Sequence, residues 1–140
     1  MKFLIFLISM VNFTNQMPQD DLVMISQVVE SFVKHVDDRN IDEVNNVLHD
    51  DFRAIVNQAF GSKDVQFLTK PIYLDLMKKK EIGGDARKVV ILSVDLEDKN
   101  AVVKAKFTGK ELVFTTFLQL IKDSDGDWKI MSDLPVIHKI

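Results

Sequence analysis

The chain has 140 residues, which is enough for one domain with a hydrophobic core that needs neither metal nor disulfide to hold it. Its 46% hydrophobic and 28% charged residues are typical of a globular protein and exclude a disordered one. The net charge of −3 argues against nucleic acid as a partner, and the lack of cysteine excludes disulfides, thiol catalysis and cysteine-bound metals.

The amino terminus has the pattern of a secretory signal. Lys2 precedes the apolar run 3–11, which is too short for a bilayer, since a spanning helix needs about 20 residues. No pair of small residues follows at a cleavage position, so the alternative is an extra helix or strand packed on the domain. We expect residues 1–16 to be a signal peptide or flexible segment and residues 19–140 to form one domain. The protein is then secreted or periplasmic if the signal is cleaved, and cytoplasmic otherwise.

Two helices are predicted first. Asp20 or Asp21 can cap a long helix whose apolar residues recur at spacings of three and four. These residues are Leu22, Ile25, Val28, Val29, Phe32, Val33 and Val36. Asn40 can cap a short second helix, with Glu43 reaching back in the manner of a capping box.

A strand and a third helix follow. Residues 52–58 read as a strand, and residues 61–64 as a turn. Thr69 or Lys70 begins the third helix, and the Gly83-Gly84 pair is expected to end it, because glycine takes the left-handed geometry of many helix ends.

The rest of the chain reads as four strands joined by short connections. The first, 88–96, has Val90, Leu92, Val94 and Leu96 on one face. The second places Ala101, Val103, Ala105 and Phe107 inward. Residues 112–121 are apolar on both faces and predict a central strand, and residues 128–136 form the last one. Such short links imply antiparallel pairing, because parallel strands need a crossover of a dozen or so residues. The sequence predicts an α+β fold in which a curved sheet wraps the first helix and leaves a ligand pocket at its wide end.

Several segments resemble the putative lumazine-binding family of the nuclear transport factor two-like (SnoaL-like, ketosteroid isomerase-like) superfamily. They are residues 28–32, 48–53, 114–122 and 125–130, within a resemblance that covers about residues 21–137. The resemblance implies a cone of cystatin-like fold, with three amino-terminal helices on a curved antiparallel sheet and often dimeric through that sheet. The superfamily includes isomerases, polyketide cyclases, dehydratases and members that only bind or scaffold. Family members often carry an acidic residue and a tyrosine where this chain has Thr116 and Phe117.

Acid–base chemistry has few candidates. Asp50 and Asp51 are the possible general bases, with the hydroxyl of Tyr73 beside them. The alternative is that the two aspartates form an exposed polar junction between a helix and a strand. No cofactor motif is present, and the three histidines are too far apart in sequence to predict a metal site.

Ligand contacts are predicted at polar and amphipathic residues within apolar strands. Arg53 and Asn57 share one face of their strand and can bind an anionic group if that face points inward. If it points outward, Phe52, Ala54 and Val56 form the core instead, which buries more apolar surface. The other candidates are Thr115, Thr116, Gln119, Ser132, Tyr73 and Trp128.

Three hypotheses follow for function. The first is a module that binds a small apolar or aromatic molecule without a reaction. The second is an isomerase, dehydratase or cyclase that uses acid–base residues in its pocket. The third is a homodimeric scaffold, because residues 112–121 need cover on both faces. None of the three involves nucleic acid or a membrane span.

Overall fold

A computed structural model describes residues 19–140. The predicted signal at residues 1–16 lies outside this range. The elements in chain order are α1 (Gln19–Asp37), α2 (Ile41–Val47), β1 (Leu48–Asn57), β2 (Val65–Thr69), α3 (Lys70–Lys78), β3 (Lys88–Glu97), β4 (Asn100–Thr108), β5 (Leu112–Lys122) and β6 (Trp128–Lys139). Within the described range, no helix is both long and apolar enough to cross a membrane.

The strands form one sheet in the order β2-β1-β6-β5-β4-β3. β3, β4, β5 and β6 pair with their neighbours in antiparallel fashion, as their short connections predicted. β1 pairs with β6 in parallel and with β2 in antiparallel fashion. The α+β class is therefore confirmed, and the sheet is mixed at the junction between β1 and β6.

The expected element order needs one correction, because β2 was not predicted. β2 is an edge strand whose residues are mostly exposed, so it has no alternation of buried and exposed positions to reveal it. As a result α3 follows two strands, and the three helices are not all amino-terminal to the sheet. β1 also begins earlier than predicted, at Leu48.

The core lies between α1 and the inner face of the sheet. The predicted stripe of α1 is buried at Ile25, Val29, Phe32, Val33 and Val36. The predicted inward face of β4 is also buried, at Ala101, Val103, Ala105 and Phe107. These two sets confirm the interpretation of both segments and place the helix against the sheet.

Local signals at the helix ends are partly confirmed. The Asn40 side chain caps α2 by accepting a hydrogen bond from the Glu43 backbone N–H at 3.3 Å. The Gly83-Gly84 pair does not end α3, which stops at Lys78. Instead Gly83 passes so close to α1 that a Cβ there would lie 2.2 Å from the Val36 carbonyl oxygen. The Gly84 N–H donates a hydrogen bond to the Asp37 carbonyl at 2.8 Å. The two glycines therefore let the loop after α3 pack closely against the end of α1.

Two β-bulges change which residues face inward. In β3 the pairing shifts between Ile91 and Ser93, so Val94 faces the core but Val90 and Leu92 are exposed. The prediction that all four apolar residues of this strand share one face was therefore wrong. In β6 the pairing shifts at Met131, which has no partner on β5. An extra residue on one strand reverses the alternation beyond it.

Candidate functional site

A cavity of about 620 Å³ opens between the inner face of the sheet, α1 and α3. Its wall is mainly apolar and aromatic, with contributions from Phe32, Ala54, Leu68, Phe107, Phe114 and Ile137. A few polar groups interrupt this wall: Asp37, Gln66, Tyr73, Arg87, Thr116 and Asp133. A concave, largely apolar space with a small number of polar groups is the usual form of a small-molecule site.

Asp133 is the buried acid of this cavity. The residue is 8% exposed, and the Thr116 hydroxyl donates a hydrogen bond to its Oδ1 atom. Burial raises the pKa of Asp133 to about 6, although the Thr116 hydrogen bond and the charge of Arg87 oppose that rise. No cation among the described residues lies within ion-pair distance of this carboxyl, so its second oxygen is left to whatever occupies the cavity.

The bulge in β6 is the reason that Asp133 points inward. Trp128 and Ile130 are buried, and unbroken alternation from them would place Ser132 inside and Asp133 outside. Met131 is the extra residue, and beyond it Asp133, Pro135 and Ile137 line the cavity. Sequence reasoning missed Asp133 because it assumed unbroken alternation. The one signal was an aspartate between apolar residues of a strand.

Tyr73 closes the cavity from α3. Its ring packs edge-on against Phe52, with centroids 5.5 Å apart, and lies 6.2 Å from the ring of Phe32. Burial, reinforced by the charge of Asp133, raises the pKa of Tyr73 well above its ordinary value, so the hydroxyl stays protonated. That hydroxyl makes no hydrogen bond with the described residues. The hydroxyl can therefore donate a hydrogen bond to a bound molecule and accept one from it, within an otherwise apolar wall.

Arg87 and Asp37 form an ion pair at the rim. Arg87 Nε lies 2.6 Å from Asp37 Oδ1, and the Arg87 backbone N–H donates to Oδ2 at 2.8 Å. The side chains are only 11% and 8% exposed. The guanidinium lies 5.5 Å from the ring centre of Phe107 and 5.0 Å from that of Phe114. This arrangement ties the start of β3 to the end of α1 and fixes one wall of the cavity.

Acidic residues surround the mouth. Asp64, Glu81 and Asp85 lie along its edge, on the loops that follow β1 and α3. Asp85 accepts a hydrogen bond from the Lys110 backbone N–H at 3.0 Å. None of the three forms an ion pair with another described residue. These carboxylates add a negative contribution to the potential at the entrance.

Of the predicted ligand-binding residues, Tyr73 and Thr116 line the cavity. Arg53 and Asn57 are exposed on the outer face of β1 and do not reach it. The alternative interpretation of that strand is confirmed, because Phe52 and Ala54 are buried and Ala54 lines the cavity. A strand turns every second side chain to the same face, so both polar residues point away together.

The remaining predicted binding residues lie elsewhere. Ser132 and Gln119 are cross-strand partners on the outer face, where the serine hydroxyl donates to Gln119 Oε1 at 2.9 Å. Thr115 also lies outside, opposite Val136. Trp128 is buried but away from the cavity, and its indole N–H donates to Asp21 Oδ1 at 2.9 Å. Lys122 donates to the same oxygen, so this group anchors the start of α1 to the sheet.

The predicted acid–base residues of β1 are also outside the cavity. Asp50 is exposed and lies 3.2 Å from the Lys70 ammonium, and Asp51 is exposed beside His49. The alternative of a polar junction therefore describes them correctly. Within residues 19–140, no group of three or more histidine, aspartate or glutamate side chains is arranged to hold a metal ion.

Comparison with known proteins identifies the fold. Similar structures include an NTF2-like protein of unknown function from Shewanella baltica, with a TM-score of 0.76, 13% identity and coverage of 89% of this chain and 98% of that one. An NTF-2 like protein of unknown function from Silicibacter pomeroyi has a TM-score of 0.74 and 13% identity, with coverage of 85% of this chain and 97% of that one. A ketosteroid isomerase-like protein from Erwinia carotovora has a TM-score of 0.68 and 14% identity, with coverage of 87% of this chain and 98% of that one.

At these identities the likeness concerns the fold alone. No curated protein sequence matches the chain. Residues 20–134, in contrast, match the family described as "Putative lumazine-binding". The chain belongs to that family, and its fold is that of the NTF2-like proteins described above.

Proposed function

We propose that the protein binds a small, mostly apolar molecule in the cavity beneath α1 and α3. The observation that carries the proposal is a buried carboxyl, Asp133, that faces a space of about 620 Å³ and forms no ion pair with another described residue. Burying a carboxylate costs free energy unless a partner compensates it, so a side chain of this kind is maintained for a purpose other than stability. The family description and the aromatic wall support the same function.

Two fixed polar groups define how the ligand is held. The free oxygen of Asp133 accepts a hydrogen bond, and the Tyr73 hydroxyl donates or accepts one. They project from β6 and α3, which are regular elements packed into the core, so their positions are set before the ligand arrives. The rings of Phe107 and Phe114 supply an apolar surface for a flat ligand.

A neutral fluorescent probe, N-phenyl-1-naphthylamine, tests whether the cavity accepts such a molecule. We expect saturable binding to the full chain with one site per subunit. Ala54→Leu adds bulk to a wall residue that is 2% exposed and should abolish this binding. Ile137→Phe, at the more open part of the wall, does the same without altering a fully buried position.

The control is Leu134→Ala, which removes an exposed apolar side chain from the outer face of β6. We expect this variant to bind the probe as the wild type does. Equal binding by the wild type and both cavity-filling variants, or loss of binding in Leu134→Ala, would show that the probe occupies the surface. Either result rejects the cavity as the site.

A second candidate function is an isomerase or dehydratase of the acid–base type, and the raised pKa of Asp133 favours it. In such a reaction the Asp133 carboxylate removes a proton from carbon next to a carbonyl, and the Tyr73 hydroxyl donates a hydrogen bond to the enolate oxygen. Deuterium exchange into 2-tetralone in heavy water tests this directly. A rate that does not fall in Asp133→Asn excludes the reaction.

We also propose that the protein is a homodimer through the outer face of the sheet. Six large apolar side chains that point outward from β3 to β6 are each at least 40% exposed. They are Val90, Leu92, Val102, Phe117, Leu134 and Val136. An apolar patch of this kind on a sheet is typical of an interface. Phe117→Lys should convert a dimer into a monomer in analytical ultracentrifugation, whereas Phe67→Lys, at the β2 edge, should not. A wild-type monomer at micromolar concentration rejects the proposal.

A further inference from the structure

We propose that the ligand of this cavity is a cation, an aromatic or cyclic amine whose protonated nitrogen binds at Asp133. This inference rests on the proposed binding function and adds the chemical class of the ligand to it. It is derived from the balance of charge around the cavity, from two buried polar groups with hydrogen-bonding capacity to spare, and from the contacts of the one cation already in the cavity wall.

The cavity wall carries an excess of carboxylates. Among the described residues that line it, the acidic ones are Asp37, Asp64, Glu81, Asp85 and Asp133, and the basic one is Arg87. Arg87 is paired with Asp37, which leaves four carboxylates without an ion pair among the described residues. Like charges placed around one cleft add their potentials, so the cavity attracts a cation and repels an anion.

Two buried polar groups of the cavity wall have hydrogen-bonding capacity to offer a cation. Tyr73 is 7% exposed and its hydroxyl has no partner among residues 19–140. Asp133 is 8% exposed, and only its Oδ1 atom is engaged, by Thr116. An ammonium group has three donors and no acceptor. It therefore fits the free carboxylate oxygen and the lone pairs of the phenol oxygen, whereas a carboxylate ligand meets repulsion at the first of these.

The aromatic wall is suited to a cation as well. The guanidinium of Arg87 lies over Phe107 and Phe114 at 5.5 and 5.0 Å from their ring centres. These two rings therefore already stabilise one positive charge at the rim of the cavity. The charge of Arg87 itself is balanced by Asp37, which accepts hydrogen bonds from its Nε and backbone N–H.

Three matched probes separate the possibilities: 2-naphthylmethylamine, 2-naphthylmethanol and 2-naphthoate. They share one ring system and differ in being cationic, neutral or anionic at pH 7.5. Because a hydrogen bond between charged groups is about twice as strong as a neutral one, we expect the amine to bind about tenfold or more tightly than the alcohol in isothermal titration calorimetry. The carboxylate should bind weakest.

Asp133→Asn keeps the shape of the side chain and removes its charge, so the preference for the amine over the alcohol should shrink to about twofold or less. The matched control is Asp98→Asn, which removes one exposed carboxylate from the turn between β3 and β4 and should leave the preference unchanged. If Asp133→Asn does not fold, Glu81→Gln at the mouth provides a second test, with a smaller loss of the preference.

The outcomes distinguish the two proposals. Wild-type protein that binds the alcohol or the carboxylate as tightly as the amine overturns the cation inference and leaves the binding function in place. An amine preference that persists in Asp133→Asn and in Glu81→Gln overturns it too. Failure of all three probes to bind, at concentrations up to their solubility limit, counts against the binding function itself.

Discussion

Thr116 and Asp133 lie on neighbouring strands of the inner sheet face, and the threonine hydroxyl donates a hydrogen bond to the buried carboxyl. Thr116 is fully buried, so this bond does not compete with solvent. It stabilises the charged form of an acid that burial alone would neutralise. The pair therefore keeps the pKa of Asp133 near 6, where the carboxyl changes its charge close to physiological pH.

The first prediction concerns how stability depends on pH through Asp133. Its pKa rises from 3.8 to about 6 on folding, so the folded chain binds more protons than the unfolded chain between those values. Stability should therefore fall as pH rises from about 4 to about 6, by on the order of 3 kcal/mol. Asp133→Asn should be more stable than wild type at pH 7.5, and nearly equal to it at pH 4.

Urea unfolding at both pH values measures this difference. The ionisable groups that interact with Asp133 are Tyr73 of α3 and Arg87 before β3. Both are unchanged in the variant, so subtracting the two curves isolates the one carboxyl. A variant that is less stable than wild type at pH 7.5 contradicts the prediction.

The second prediction concerns the threonine hydroxyl. Thr116→Val keeps the shape of the side chain and removes the donor, so the pKa of Asp133 should rise further above 6. Carboxyl carbon shifts followed by NMR across a pH titration report it. Thr115→Val, on the outer face of the same strand, is the control. Equal pKa values in Thr116→Val and wild type would mean that the hydroxyl does not stabilise the carboxylate.

The third prediction concerns the ion pair between Arg87 and Asp37. Both side chains are about 90% buried, and removing one partner leaves an uncompensated charge. Arg87→Met should therefore lower the free energy of unfolding by about 3 kcal/mol or more. The double variant Arg87→Met with Asp37→Asn should recover part of that loss, because no lone charge remains.

The pair between Lys34, in the last turn of α1, and Asp38, just after that helix, is a matched surface control. Its N–O distance is 2.7 Å, close to the 2.6 Å of the buried pair, but its side chains are 70% and 55% exposed. Lys34→Met should cost less than about 1 kcal/mol. Chemical unfolding measures both losses. If Arg87→Met lowers the free energy of unfolding no more than Lys34→Met does, burial does not increase the contribution of the ion pair to stability.

The fourth prediction compares two glycines. Both Gly83 and Gly126 have left-handed φ angles, +88° and +83°. A Cβ at Gly83 would lie 2.2 Å from the Val36 carbonyl oxygen, whereas a Cβ at Gly126 meets nothing within 4 Å. Gly126→Ala should therefore cost about 1 kcal/mol, from backbone strain alone, and Gly83→Ala considerably more. Equal shifts of the urea midpoint would show that the loop moves aside.

The fold was largely predictable, because its signals are local and periodic. The spacing of apolar residues in α1 and the clean alternation of β4 each follow from one buried face. Asn40 marks the start of α2 through a bond to the third residue after it, which sequence spacing alone reveals. β2 escaped prediction since an exposed edge strand has no buried face to impose a pattern.

The candidate site was less predictable, because a bulge cannot be identified from periodicity. Alternation from Ile130 predicts that Ser132 faces inward, and Met131 reverses that order without any glycine or proline to mark it. The pair of Arg87 with Asp37 joins residues 50 positions apart, and nothing local reveals it. Tyr73 and Thr116 were identified because a polar group among apolar neighbours is visible in the sequence itself.

The position of β6 has a consequence for how the chain matures. β6 is the last strand in sequence, yet it lies between β1 and β5 and joins two groups of strands that do not otherwise pair. Until β6 has been synthesised, β1 and β5 each therefore have one strand edge without its native hydrogen-bonding partner. Asp133 arrives with that strand, so the pocket acquires its acid in the same step that closes the sheet.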